Sequence, residues 1–493
     1  MSKSHYDLCV VGAGSGGIGA ALAGARAGLS VLLVEKSDTL GGNAVRGGVH
    51  NWEPGVGGTD FPYEIYRRLR AIPGAVTITK MGRHCCAPAP GKPAYPGGEV
   101  LPDPLARYAD SLQRHSLKEL SLLEKFGPQT LFRAVVFEPH AYSSVVGEML
   151  AETGNCTILM ETAFRDVCVQ EGRITSLVLD NGDVVKASFY VDGTADAKLC
   201  QAAGCTLMRG QEGREAFGEP DAPEQPSSKV NAVTLIYRVK PRDEVAIDPL
   251  PPDVPSDCWW QARFPASLNS SYPNGDLNIN MLPTMQGEEF LRLGYPAAYT
   301  ECRRRVLAHW HYLQTRPDFP EFQRYTISWI APALGVRETV RVVGEYVLTQ
   351  YDLMAGLSRQ EHPDIITIAD HALDRHGDSG GCVELKEPYG VPYRCLLPKG
   401  INNLLVACRG ASFSSIAASS CRLSRTMMAL GHAAGTACAL AKEKSLSLRE
   451  VPASELRRCL RKEHVELEWP RPIVETERLI NSQAQSVEKP LYV

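Results

Sequence analysis

Between Leu8 and Lys36 the chain reads LCVVGAGSGGIGAALAGARAGLSVLLVEK, two apolar runs separated by a glycine-rich turn and a stretch of small residues. The run LCVVG has the unbroken apolar character of a strand buried on both faces. GGIGAALAGARAG reads as a helix closed by Gly28, and SVLLVE as a second strand. Together they predict a βαβ unit on a parallel sheet. In such a unit Gly12 permits the tight turn, Gly14 lets the backbone approach a pyrophosphate, and Gly17 lets the helix pack closely on the strand. The helix N-terminus then faces the phosphates. Glu35, about 20 residues further on, is placed to close on ribose hydroxyls, with Lys36 beside it. An incidental glycine-rich turn is the plainer alternative, but the strand, turn and helix context favours a dinucleotide site.

The 493 residues, 44% of them hydrophobic, suffice for two or more packed units. With 52 basic against 56 acidic residues and no long run of like charge, neither nucleic acid nor an anionic membrane is favoured as a partner, which leaves small-molecule chemistry. No apolar run approaches the roughly 20 residues that cross a bilayer, and MSKSHYD leads directly into the first strand, so a cytoplasmic location is expected. The fifteen cysteines contain no CxxC pair and no Cys/His cluster at zinc spacing, so no metal is expected. They read as reduced thiols packed as small hydrophobes, the neighbours Cys85 and Cys86 and the spaced pair Cys200 and Cys205 included.

After Glu35 the chain runs through SDTL to GGNAVRGGVHNW. This resembles the FAD-binding start of the glutathione-reductase-like flavoproteins. In their fumarate-reductase branch a similar glycine pair and asparagine precede a second small-residue turn along the flavin, and Gly41, Gly42, Asn43, Gly47 and Gly48 match that pattern. Asn43 stands near the place where related succinate dehydrogenases carry a flavin-linking histidine, so the resemblance implies FAD held without a covalent bond. His50, just past the turn, is a candidate acid facing the isoalloxazine; the plainer reading is a histidine that hydrogen-bonds a loop. A disulfide reductase would need a redox cysteine pair directly after the glycines, where Asn43 and Ala44 stand.

From His140 to Ala197 the pattern alternates a helix, a strand, a hairpin with Asn181-Gly182 at its tip, and another strand, SFYVDGTADA. That last strand is similar to the Asp-x-Thr-Gly-Asp approach to the cofactor in the same flavoproteins. Asp192, Thr194 and Asp196 match it, with Ala195 in place of the usual glycine. The last third, with GVRETVRVVGEYVLT and YGVPYRCLLPKGINNLLVACRGASFSSIAASSCRLSRTMMALGHAAGTACALA, resembles the FAD-dependent oxidoreductase family. The resemblance implies that Arg337 of GVRET and Arg394 of PYR lie close to the cofactor or anchor a substrate anion. NNLLVAC reads as a buried strand delivering Arg409 and Gly410 to the flavin, although Cys408 stands where the family commonly has glycine. A helix from about Cys421 to Ala441, with Arg422 at its start, aims its positive end at the ring.

The expected fold is α/β: a Rossmann-like FAD-binding domain of three layers, a parallel sheet with a β-hairpin or meander, and an inserted α+β cap. The FAD-binding part covers 1–212, including a connecting segment at 60–140, and resumes at 326–445; the cap covers 213–325 and a C-terminal extension 446–493. No second GxGxxG stands in strand-helix context, so a dedicated nicotinamide domain is not expected and the electron donor or acceptor is unidentified. The expected activity is hydride transfer between a small organic substrate and flavin N5. The alternatives are a non-redox isomerase or hydratase, a monooxygenase, or a flavin-carrying partner subunit. Arg409, Tyr393, His371 and His50 are the candidates for a direct catalytic role, and His376 is a further polar candidate. The stretch DHALDRHGDSGG, with two histidines and three aspartates, has no compelling ligand spacing for a metal. The loop PAYPGGEVLPDP reads as a surface connection, and a homo-oligomer is compatible with the sequence.

Overall fold

The computed structural model describes residues 5–81, 101–102, 106–112, 132–377 and 381–487. Cys85 and Cys86, most of the loop PAYPGGEVLPDP, and residues 378–380 of the polar stretch lie outside the described residues.

The apolar run at the start forms strand β1 (His5–Val11), the small-residue segment helix α1 (Ser15–Arg26), and SVLLVE supplies β2 (Val31–Val34). They belong to a parallel array completed by β3 (Cys156–Leu159), β4 (Val184–Asp192) and β5 (Leu404–Val406). Its spatial order is β3, β2, β1, β4, β5, with Val10 opposite Leu33 on one side and Val191 on the other. A parallel sheet needs cover on both faces. On one face α1 and the long helix α2 (Ser424–Lys444) pack against each other. The start of β4 turns out into an antiparallel meander with Phe164–Gln170 and Arg173–Leu179, the hairpin tip carrying Asn181 and Gly182. The parallel sheet and hairpin expected from the sequence are therefore present. The α1–α2 contact is a backbone approach: a Cβ on Gly19 would sit 2.2 Å from the Met428 carbonyl oxygen, and one on Gly431 1.9 Å from that of Gly16.

A second hydrophobic core runs from Val233 to Val336. Here four antiparallel strands, in the order 266–271, 277–282, 237–241, 325–330, carry the helix Tyr295–Thr315, whose buried face includes Cys302, Val306 and Trp310. Trp259 and Trp310 spend their indole N–H groups on Glu301 and Asp248 within this unit. A third sheet joins Asn51–Trp52 to Phe132–Phe137 and Val76–Met81, the last two within the connecting segment expected at 60–140.

This four-stranded unit, at the place of the expected cap, is tied to the loop that follows the Gly-rich turn. His50 Nε2–H donates to the Val45 carbonyl (2.8 Å), which makes Nδ1 the acceptor of the Tyr272 hydroxyl. Asn278 Nδ2 donates to the Gly48 carbonyl (2.9 Å) and to the same hydroxyl (3.0 Å). Arg238 joins Asp276 to Glu138 and lies 3.7 Å over the Tyr272 ring. His50 thus fastens this unit to the part built on the parallel sheet.

Burial is the main cause that holds three histidines below their ordinary value, His309 at about 3 and His50 and His376 at about 4. The unfolded chain takes these protons near pH 6.5, so folding stability falls as the pH drops from about 6.5 toward 4. His432 works in the opposite sense: against its burial, hydrogen bonds to Asp60 and Glu463 raise it, so its contribution is full below about 6.5 and fades as the pH rises through its raised value. The thermal midpoint is expected to fall between pH 6.5 and 4.5, and to fall less steeply in His309→Gln. Equal slopes for the two proteins would refute the assignment to His309.

Candidate cofactor and substrate cavity

A cavity of about 1130 Å³ runs along the carboxyl ends of β1, β2, β4 and β5 and ends under the cap. This exceeds the roughly 300–1,000 Å³ of ordinary small-molecule sites and leaves room for an extended dinucleotide. At one end stand Gly12, Gly14, Glu35 and Lys36. Gly12 adopts φ +92°, and a Cβ there would meet the Gly193 carbonyl oxygen at 2.7 Å, so only glycine makes this turn. Gly14 precedes α1 without any side-chain cap, which leaves the first-turn N–H groups for a ligand's phosphates. Gly17 does not line the cavity but fits against the Gly12 carbonyl oxygen, where a Cβ would lie at 1.8 Å. Glu35 is buried, one oxygen accepting from the Ala13 N–H (2.7 Å) and the other from Ser37 (2.8 Å from the N–H, 2.7 Å from the hydroxyl), so the carboxylate is aimed across the turn.

In the middle, Gly42, Asn43 and Arg46 face the Gly193–Asp196 turn, Cys408 and Arg409. Asp192 is fully buried behind that turn: it accepts from the Thr194 N–H and hydroxyl and from the Cys200 N–H (2.8 Å), fixing the shape of the wall without touching the cavity. Ala195, in the glycine position of the motif, takes φ +67°. Arg409 Nη2 pairs with Asp196 at 2.5 Å, while its buried Nε has no hydrogen-bond partner among the described residues. α2 begins at Ser424, three residues later than expected, after the separate short helix Ser415–Ser420. Its start is uncapped by any side chain and faces the cavity through Leu423, Ser424 and Met427.

At the far end Ile236, Leu268, Leu282, Leu334 and Val336 of the cap form an apolar wall opposite Arg337, His371, Asp374, His376 and Arg422. Arg422 Nη2 and His376 Nε2–H both donate to Asp374 Oδ2, at 2.7 and 2.6 Å. Burial would raise the Asp374 carboxyl, yet these partners hold it well below its usual range. Arg337 donates to the Ala232 carbonyl and the Thr234 hydroxyl, both at 2.8 Å; burial and the nearby Arg422 push it down to about 9, still protonated at neutral pH. His371 Nδ1–H donates to the Ala372 carbonyl (2.8 Å), and its Nε2 stands 3.8 Å from Glu53 Oε2.

Of the expected site residues, Gly12, Gly14, Glu35, Lys36, Gly42, Asn43, Thr194, Asp196, Arg337, His371, Arg409 and Arg422 line this one cavity. The others fall elsewhere. Tyr393 is buried and donates its hydroxyl to the Leu448 carbonyl (3.0 Å), and Arg394 pairs with Asp364 (3.0 Å) while its side chain is 40% exposed; the PYR pair is structural, outside the cavity. His50 is sealed in its contact with the cap. Gly47 and Gly48 lie behind the lining, Gly48 against Ile236. Glu53 and Asp374 line the cavity beyond the expected set; Asp374 lies within the polar DHALDRHGDSGG stretch, which signals it, whereas nothing around Glu53 does. The expectation that every cysteine is a free thiol fails at Cys382, a cavity-lining residue that is disulfide-bonded. Among the described residues no group of histidines, cysteines and carboxylates could hold a metal, and no helix is long and apolar enough to cross a membrane.

The residues present fit FAD. An uncapped helix start and a guanidinium N–H without a partner among the described residues are donors, the Glu35 carboxylate is an acceptor, and the glycine turn filled by no side chain is space, a set suited to a pyrophosphate and ribose. Comparison with known proteins agrees: the family described as FAD dependent oxidoreductase matches residues 7–460. The chain is 40% identical over 82 residues to a 3-oxosteroid 1-dehydrogenase of Mycolicibacterium smegmatis, covering 15% of this chain and 14% of that protein. It is 54% identical over 46 residues to the mitochondrial dihydrolipoyl dehydrogenase of Schizosaccharomyces pombe, 9% of each. The matches thus span only a small part of these curated relatives. Among solved structures, a geranylgeranyl bacteriochlorophyll reductase-like protein of Thermoplasma acidophilum aligns over 98% of both chains with a TM-score of 0.44 and 12% identity.

Proposed function

Because the chain belongs to the FAD dependent oxidoreductase family, we propose that it oxidises or reduces a small organic molecule bound under the cap. The observation that carries this reading is the continuity of the cavity from Gly12 and Glu35 to Arg337, His371 and Arg422. FAD, when bound, supplies a site that accepts or returns a hydride. The apolar cap wall takes the carbon body of the substrate and excludes water, while Arg337, whose hydrogen bonds among the described residues go to neutral acceptors, orients an oxygen of the substrate. His371, whose Nδ1–H is committed to Ala372, presents Nε2 as the group that takes or gives the partner proton, with Glu53 beside it. Asp374 holds Arg422 and His376 in place and leaves Arg337 as the cation turned to the substrate.

The test is an anaerobic visible spectrum of the FAD-loaded protein, recorded with small acids, alcohols, sugars and enones added to oxidised and to dithionite-reduced samples. Bleaching by a reduced compound or recolouring by an unsaturated one supports the reading; unchanged flavin during turnover of a compound would refute it in favour of non-redox chemistry. With a responsive compound found, His371→Ala is expected to keep its FAD and lose about 10²- to 10⁴-fold in turnover. Unaltered turnover would remove His371 from this role.

A further inference from the structure

Helix Lys198–Ala202 ends in a turn through Gly204, at φ +80°. There the Gly204 N–H bonds to the Gln201 carbonyl (3.1 Å) and the Cys205 N–H to the Cys200 carbonyl (3.0 Å). This is the paired 6→1 and 5→2 closure of a Schellman turn, whose two outer residues pack side chain on side chain. Here both are cysteines. The backbone bond between them draws their Cα atoms together, and a disulfide needs them within about 4.4–6.8 Å. Both thiols are free, and they hydrogen-bond each other. Cys200 is wholly buried, and Cys205 retains 8% of its surface. The Cys200 N–H is also the donor to Asp192, the carboxylate that shapes the Gly193–Asp196 wall of the cavity.

We propose that Cys200 and Cys205 are a modification site: a thiol pair that hydrogen peroxide converts to a reversible intramolecular disulfide directly behind the cofactor wall. The pair is polarised for this. The hydrogen bond from Cys200 draws the Cys205 thiol below its ordinary value, whereas burial raises Cys200, so the more accessible Cys205 is the nucleophile. The Cys205 thiolate attacks one peroxide oxygen, the O–O bond breaks, and the other oxygen leaves as water once protonated, giving a sulfenic acid. The Cys200 sulfur then displaces that hydroxyl, a second water leaves with the Cys200 proton, and the S–S bond forms. Two electrons pass from the sulfurs to the peroxide.

Both residues lie in one tryptic peptide, Leu199–Arg209, and the test uses the full FAD-loaded chain. After peroxide treatment neither cysteine of this peptide is expected to take iodoacetamide, and after dithiothreitol both are expected to take it. In Cys200→Ser, dimedone should trap a sulfenic acid at Cys205; in Cys205→Ser, Cys200 should remain alkylatable. The proposal is overturned if both cysteines of the wild-type peptide stay alkylatable at peroxide doses that oxidise the exposed Cys168, or if dimedone labels Cys200 in Cys205→Ser and leaves Cys205 unlabelled in Cys200→Ser.

Discussion

Gly16→Ala is expected to strip the protein of its cofactor and to lower its thermal midpoint steeply. A Cβ at this position would lie 1.7 Å from the Ala407 carbonyl oxygen and 3.3 Å from that of Met427. Both neighbours are main chain, one at the exit of β5 and one in α2, so no rotamer change relieves the clash. Helix α1 must lift from the sheet, and the amides that face the cavity lift with it. Overpacking costs about 1–3 kcal/mol where side chains can adjust, and this site is expected at or beyond the upper end. Gly147→Ala is the control: on the helix Pro139–Glu152, the new methyl would touch only the Leu40 side chain, at 3.7 Å. There the change is expected to stabilise by roughly 0.5–1 kcal/mol and to leave the FAD content unchanged. FAD retention through gel filtration, with the thermal midpoint, checks both, and an intact holoprotein from Gly16→Ala would contradict the packing described.

The second large effect is expected at Arg425→Ala. Arg425 and Asp370 are both almost wholly buried and pair at 3.1 Å. The other arm of Arg425 donates to the Glu53 carbonyl, and the other oxygen of Asp370 accepts the Val56 N–H (3.0 Å). This pair clamps the loop that carries Glu53 to the segment that carries His371, the residue after Asp370. Removing the cation takes its buried ion-pair partner from the Asp370 carboxylate, a loss of about 3–5 kcal/mol, whereas replacing both by apolar residues of similar size costs far less. The urea midpoint should therefore fall markedly for Arg425→Ala and much less for Arg425→Met combined with Asp370→Leu. If the double variant is as unstable as the single one, the ion pair is not what Arg425 contributes.

What is legible in the sequence is what local backbone rules govern. Alternating apolar runs and small residues announce the βαβ unit, and Asn181-Gly182 announces the hairpin, because a strand buried on both faces and a tight turn each restrict residue type within a few positions. The spacing of Gly12, Gly14 and Gly17 points to the cavity for the same reason. Gly16 carries no such signal: its constraint comes from Ala407, almost four hundred residues away, and no local pattern encodes it. The far end of the cavity is legible only in part. Arg337, His371 and Arg422 converge there, but Tyr393 and Arg394, equally polar and in an equally recognisable motif, turn away from the cavity to Leu448 and Asp364. A motif specifies that a side chain is needed, not which way the backbone presents it; here Tyr393 and Arg394 lie on a single 3-10 turn after the strand. His50 shows the same limit, since its partner Tyr272 belongs to the cap.

The most direct test of the cofactor's placement is the visible spectrum of the protein after reconstitution with FAD and gel filtration, with Gly12→Val beside the wild type. The expected result is about one flavin per wild-type chain, fully bleached by dithionite, and none retained by Gly12→Val, whose side chain would need both φ +92° and space held by the Gly193 carbonyl. A wild-type protein that elutes folded and colourless, or a Gly12→Val protein that holds FAD as tightly, would contradict that placement and with it the chemistry proposed at the far end.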